Sequence, residues 1–237
     1  MPRRAQFRGE FIYHVLNRAA KRIQLFDSNS DYIDAESVLL RAKKATGIRI
    51  LDYCIMPNHF HFILWPRTGS EMSQFMRRFT GLHAQLWQNA KGTTGSGAVY
   101  QGRYKAIPVQ TGRYFYNVCR YVQRNPLRAG LVARAEEWPW SSLWRRLHSE
   151  RDDLLDSWPV PYPVDWLQTV NGPARVIDLA TVRKAIARGI PLGEPDWVEK
   201  TAETVGLTSR LRRPGRPRNQ VENCTRPRLR KLHPTPT

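Results

Sequence analysis

The chain has 237 residues, 41% of them hydrophobic, and carries a formal charge of +18 from 38 Lys+Arg against 20 Asp+Glu. That apolar fraction is enough for a packed core and excludes a wholly disordered chain, while no apolar run approaches the ~20 residues of a membrane helix. The charge points to a polyanionic partner, nucleic acid before an anionic membrane surface.

The N-terminal stretch MPRRAQFRGEF has basic residues but no apolar segment and no small-residue cleavage site, so no signal peptide is expected. Three scattered cysteines, Cys54, Cys119 and Cys224, fit no disulfide framework and suit a reducing compartment. Phe11–Leu16 is β-branched and aromatic and predicts a strand. Asp31–Thr46 has apolar residues near helical spacing, and Gly47 stops it. Ile48–Met56 and His59–Trp65 read as two strands around a Pro57-Asn58 turn, an antiparallel hairpin. Met72–Asn89 reads as a helix with Phe75, Phe79, Leu82 and Leu86 in line, and 91–97 as a loop. Val99–Val109 reads as extended, and Thr111–Asn125 as a helix capped near Thr111 and ended by Pro126. The order β-α-β-β-α-β-α predicts an α+β fold, a ferredoxin-like antiparallel sheet with helices packed on it.

Beyond a first unit of residues 1–148, residues 149–207 read as a small helical extension. It holds short helices over 182–189 and 197–205. Residues 208–237 read as a basic, disordered tail: from Leu207 onward nine Lys+Arg face one acid, among five prolines. In that tail, Arg212–Arg218 (RRPGRPR) has the form of an AT-hook, with Arg213, Arg216 and Arg218 suited to a narrow minor groove; a generic basic tail is an equal reading.

Two constellations carry chemistry. Strand alternation turns His59 and His61 to one face, where two imidazoles can share a divalent cation; a bare pair of strand histidines is the plainer reading. Tyr121 and Asn125, four apart, share a helix face, placing a nucleophilic phenol beside an amide oxygen able to bind a hard metal. Core packing and helix capping explain the same two residues, and Tyr114, seven before Tyr121, faces nearly the same way, so periodicity does not choose between the tyrosines. Taken together, the four residues would make one phosphoryl-transfer site, in which tyrosine would attack phosphorus beside a metal. The basic residues Arg77, Arg78, Arg103, Lys105, Arg120, Arg124 and Arg128 suit a DNA groove, and Trp87, Tyr100 and Tyr104 suit base stacking.

The segment Met56-Pro57-Asn58-His59-Phe60-His61-Phe62 resembles the histidine–hydrophobic–histidine motif of single-tyrosine (Y1) transposases, the HUH type. Tyr100–Lys105, Tyr121–Leu131 and Trp138–Ser142 are similar to the segments that follow it in those enzymes. The group most resembled is the REP-associated tyrosine transposases, related to those of the IS200/IS605 insertion sequences, over residues 5–148 and more weakly to Gly215-Arg216-Pro217. The resemblance implies His59, His61 and Asn125 as ligands of Mg²⁺ or Mn²⁺, and Tyr121 rather than Tyr114 as nucleophile. It implies cleavage and rejoining of single-stranded DNA near REP-like hairpins through a 5′-phosphotyrosine, with a free 3′-hydroxyl. It further implies a cytoplasmic, nucleoid-associated bacterial protein, monomer or homodimer, with no membrane partner. His14 matches a histidine near the first strand of such proteins. Arg18-Ala19-Ala20 departs from the family's Arg-Gly-Asn, replacing a residue free to take positive φ. Two alternatives are a non-catalytic hairpin-binding protein or repressor that keeps the fold, and a structural zinc protein using His59, His61 and Cys54.

Overall fold

The computed structural model describes residues 7–9, 11–20, 23–149, 152–173 and 176–211. Four strands, β1 (Ile12–Arg18), β2 (Arg49–Met56), β3 (His59–Trp65) and β4 (Lys105–Val109), form one sheet in the order β2-β3-β1-β4. Every pairing is antiparallel. The sheet with its helices is the α+β, ferredoxin-like arrangement expected from the sequence, and 48–65 is the hairpin expected.

Helices α1 (Asn29–Thr46) and α2 (Gly69–Ala90) cover one face. The first begins at Ser28, whose side chain and that of Asp31 form a reciprocal capping box, and ends at Gly47 in the left-handed region (φ 75°). Beneath them Tyr13, Val15, Phe60 and Phe62 alternate off β1 and β3 against Phe75 and Phe79. Full burial of such a ring stabilises the fold by about 2–3 kcal/mol. The other face carries α3 (Arg113–Gln123), whose Phe115, Val118, Cys119 and Val122 pack on Ile12, Cys54, Ile63 and Ile107.

A register shift between Ile50 and Asp52 divides β2 between the two faces. Two residues apart, they would share a face in a regular strand; the bulge sends Ile50 to α1 and α2 and Asp52 to α3. Asp52 is fully buried and accepts hydrogen bonds from Gln123 Nε2 (2.6 Å) and Ser142 Oγ, while Gln123 Oε1 accepts from Trp166 Nε1 at 2.8 Å. One carboxyl thus ties β2 to α3, to α5 (Ser142–His148) and to α6 (Trp166–Asn171). Burial pushes Asp52 up to about 7, against the opposing pull of these donors.

The cap of α3 is Gly112 at φ 73°, beside Thr111 as expected, where the chain turns through a conformation open to glycine. Two boundaries differ from expectation. Pro126 does not end the helical run: it stands in the first turn of α4 (Asn125–Arg128), where a missing N–H costs nothing. Only Lys105–Val109 of the expected extended stretch is strand, with Tyr100 making an isolated bridge to Ala19.

Helices α6, α7 (Val176–Arg188) and α8 (Pro195–Thr204) follow, and α9 (Thr208–Leu211) adds a turn in a stretch read as tail. Between α7 and α8, Leu192 exchanges backbone hydrogen bonds with Pro108 and Gln110 and lies parallel to Val109 on the free edge of β4. The AT-hook-like segment, with Arg213, Arg216 and Arg218, and Cys224 lie outside the described residues. Among the described residues no helix is long and apolar enough to cross a membrane.

His83, on α2, is buried with its Nδ1 2.8 Å from the Tyr100 hydroxyl, and burial lowers its pKa to about 4. The unfolded chain therefore binds that proton more tightly. The stability His83 contributes is complete above pH 6.5 and is lost as pH falls toward 4, by about 3 kcal/mol at the limit. Chemical denaturation of His83→Gln at pH 7.5 and 5 should show a smaller loss on acidification than the parent protein; an equal loss would remove His83 as the cause.

Candidate active site

A cleft of about 470 Å³ opens where β1 ends, β3 begins and the α3–α4 junction crosses the sheet. His59 and His61 line it from β3, Tyr121 from the last turn of α3, and Asn125 and Arg128 from α4. Strand pairing sets the imidazoles: Arg18 lies opposite His59 and Leu16 opposite His61, all turned toward α3. Tyr121 stands edge-on to His61, ring centroids 5.9 Å apart, and 6.1 Å from His14. Tyr114, which the sequence leaves in competition, points elsewhere, as does Tyr116: Tyr114 Oη meets Arg113 and Tyr116 Oη meets the Pro161 carbonyl at 2.7 Å.

The histidines are held by partners. His59 Nδ1 lies 2.7 Å from Asn58 Oδ1, and His61 Nδ1 lies 2.9 Å from His14 Nε2 in a buried contact with the rings stacked at 5.1 Å. Burial is the main cause that lowers all three pKa values, His59 to about 4, His14 to about 3, and His61 well below 6.5 with neighbouring imidazoles and Arg128 adding to the effect. At neutral pH these rings are uncharged, so each keeps a nitrogen lone pair.

The Arg128 guanidinium lies over the Tyr121 ring, 4.4 Å from its centre, and donates to Asn125 Oδ1. Asn125 is 2% exposed and its Nδ2 has no partner, an amide with half its capacity unmet at the cleft wall. Two neutral imidazole nitrogens and an amide oxygen suit a borderline or hard divalent ion such as Mn²⁺ or Mg²⁺. Among the described residues no three His, Cys, Asp or Glu converge to hold a metal. Cys54 is buried, donates to Met56 Sδ at 3.7 Å, and burial raises its pKa well above the usual thiol value.

The basic residues divide. Arg103, Lys105 and Arg128 line the cleft, joined by Arg18, which charge counting alone does not single out. Arg120 and Arg124 turn away and donate to the carbonyls of Val170, Gly172 and Pro173, clasping the end of α6. Arg77 and Arg78 are exposed on α2, on the opposite layer of the sheet. Of the aromatic residues read as base-stacking, Tyr100 is buried against His83, Trp87 donates to the Leu25 carbonyl, and Tyr104 stacks on Phe7. His14 and Asn58 are the site neighbours that sequence reasoning gave no chemistry; strand alternation marks the face of His14, but only the register brings it to His61.

Residues 8–125 match the model of the family described as "Transposase IS200 like". A REP-associated tyrosine transposase of Escherichia coli (strain K12) is 21% identical over 169 residues, covering 71% of this chain and 92% of that protein. Two solved structures are similar. One, a REP-associated tyrosine transposase bound to a REP hairpin, has a TM-score of 0.48 and 17% identity over 68% of this chain and 94% of that one. The other, a putative transposase from Deinococcus radiodurans, has a TM-score of 0.36 and 16% identity over 51% and 84%.

Proposed function

The chain belongs to the IS200-like transposase family, and from that membership we propose that it is a metal-dependent strand transferase that cuts and rejoins single-stranded DNA beside hairpins. The observation that carries this reading is the convergence of Tyr121, His59, His61 and Asn125 on one basic cleft.

The Tyr121 phenol oxygen attacks the scissile phosphorus. A new O–P bond forms as the bond from phosphorus to the 3′ oxygen breaks. The phenol proton is lost and the departing 3′ oxygen gains one, leaving a 5′-phosphotyrosine and a free 3′-hydroxyl. The phosphodiester is exchanged rather than hydrolysed, so a 3′-hydroxyl can reverse the step without ATP. His59, His61 and Asn125 would hold Mg²⁺ or Mn²⁺, and the ion would supply Lewis-acid polarisation of the phosphate oxygens. Arg128, lying across the phenol ring, places a positive charge where negative charge develops. Arg103 and Lys105 draw the strand in. Tyr121 stands beside the histidines of its own chain, which supports attack within one protomer. We assign the catalytic unit to residues 1–148 and a bracing role to the extension, which Arg120 and Arg124 of α3 and its C-cap grip by its carbonyls and which covers the β4 edge through Leu192.

The test is incubation with 5′- or 3′-labelled hairpin oligonucleotides in Mg²⁺, Mn²⁺ or EDTA, then denaturation in SDS. An adduct on the DNA downstream of the cut, absent in EDTA, is expected. Hairpin binding without an adduct would favour the alternative of a non-catalytic DNA-binding protein. Binding should also weaken with salt. In Arg103→Ala/Lys105→Ala the log–log salt slope should fall by about 1.4, at roughly 0.7 per phosphate contact on single strands. The same double change at Arg77 and Arg78 should leave the slope nearly unaltered.

A further inference from the structure

We propose that His14 and Asn58 are positioning residues that fix His61 and His59 as Nδ1–H tautomers, so that both Nε2 lone pairs are presented to the cleft. The inference rests on the metal-binding part of the proposed function and adds how the two ligands are prepared for it.

A neutral imidazole has one N–H and one lone pair, and the hydrogen bond made by one nitrogen decides which of the two remains at the other. At His59 the partner is an amide oxygen, which only accepts, so the 2.7 Å contact requires the proton on His59 Nδ1. At His61 the partner is another imidazole, and the 2.9 Å contact holds a single proton that either ring can own. With His61 Nδ1 committed to His14, only Nε2 is left for a cation. If His14 donated, His61 would carry its proton on Nε2 and present an N–H to the cleft. A cation at His61 Nε2 therefore requires His14 to accept, with its own proton on Nδ1. The arrangement is rigid: His14 is 1% and His61 3% exposed, the rings stack, and His14 sits one diagonal step from His61 in the β1–β3 register. Fixing the ligand tautomer through the far ring nitrogen is the usual outer-shell contribution to a histidine metal site.

The direct test is long-range ¹H–¹⁵N correlation on the full chain without metal, which distinguishes the tautomers of each histidine. His59 and His61 are expected as Nδ1–H and His14 as Nδ1–H; His61 as Nε2–H would overturn the proposal. Calorimetric titration with Mn²⁺ gives the second readout. His14→Leu should lower Mn²⁺ affinity about 10–100-fold and release His61 from a single tautomer, whereas His14→Gln, which can still accept, should keep the tautomer and most of the affinity. Thermal unfolding of both variants separates this from loss of fold, and the unmodified chain gives the tautomers even if His14→Leu does not fold. Unchanged Mn²⁺ affinity in a folded His14→Leu would sink the positioning role. No Mn²⁺ binding by the parent protein would instead sink the metal-binding reading beneath it.

Discussion

Replacing Tyr121 with phenylalanine is expected to abolish covalent capture of DNA while leaving the fold and hairpin binding in place. The adduct needs an oxygen at the ring's end, and phenylalanine has none. The contacts that hold the ring do not need that oxygen: Tyr121 meets His61 edge-on and carries Arg128 on its face, and a phenyl ring satisfies both. The melting temperature should therefore shift little. Parallel changes at Tyr114 and Tyr116 are expected to leave the adduct intact, since their hydroxyls meet Arg113 and the Pro161 carbonyl outside the cleft. Adduct formation by Tyr121→Phe at the parent rate would refute the assignment.

The second large effect belongs to His59. His59→Ala removes one of the two imidazoles proposed as ligands, at a half-buried position, so the sheet should fold around it. Loss of the metal's charge stabilisation is worth about 4 kcal/mol, roughly a thousandfold in rate. The adduct yield of His59→Ala in Mg²⁺ should equal that of the parent protein in EDTA, with hairpin affinity nearly unchanged because the basic side chains remain. A yield in Mg²⁺ well above the EDTA level would show that His59 is not a ligand.

Much of this architecture is written in the residue pattern. Alternation along His59–Trp65 gives both the strand and the shared face of the two histidines, and Gly47 ends α1. Other features depend on register, which no single segment encodes. The bulge beside Ile50 turns Asp52 toward α3, and the β1–β3 pairing sets His14 against His61; both are decisions made between strands. Tyr114 and Tyr121 are two turns apart on one helix face, so periodicity treats them alike. The cleft lies at the C-terminal end of α3, about 10 Å along the axis from Tyr114. Charge is legible as a sum but not in its partners, and so Arg120 and Arg124 read as DNA contacts although they bind carbonyls of the extension. Helix α6 is six residues long, too short for a period to register, and is docked by Trp166 against Gln123.

The most direct measurement is the identity of the residue joined to DNA. Trapped adduct would be digested with nuclease and trypsin and its peptides fragmented in a mass spectrometer. Cleavage after Arg113, Arg120 and Arg124 places Tyr121 in one peptide and both Tyr114 and Tyr116 in another. The account requires a nucleotide remnant joined through its 5′ phosphate to Tyr121. A remnant on Tyr114 or Tyr116, or one joined through a 3′ phosphate, would contradict it.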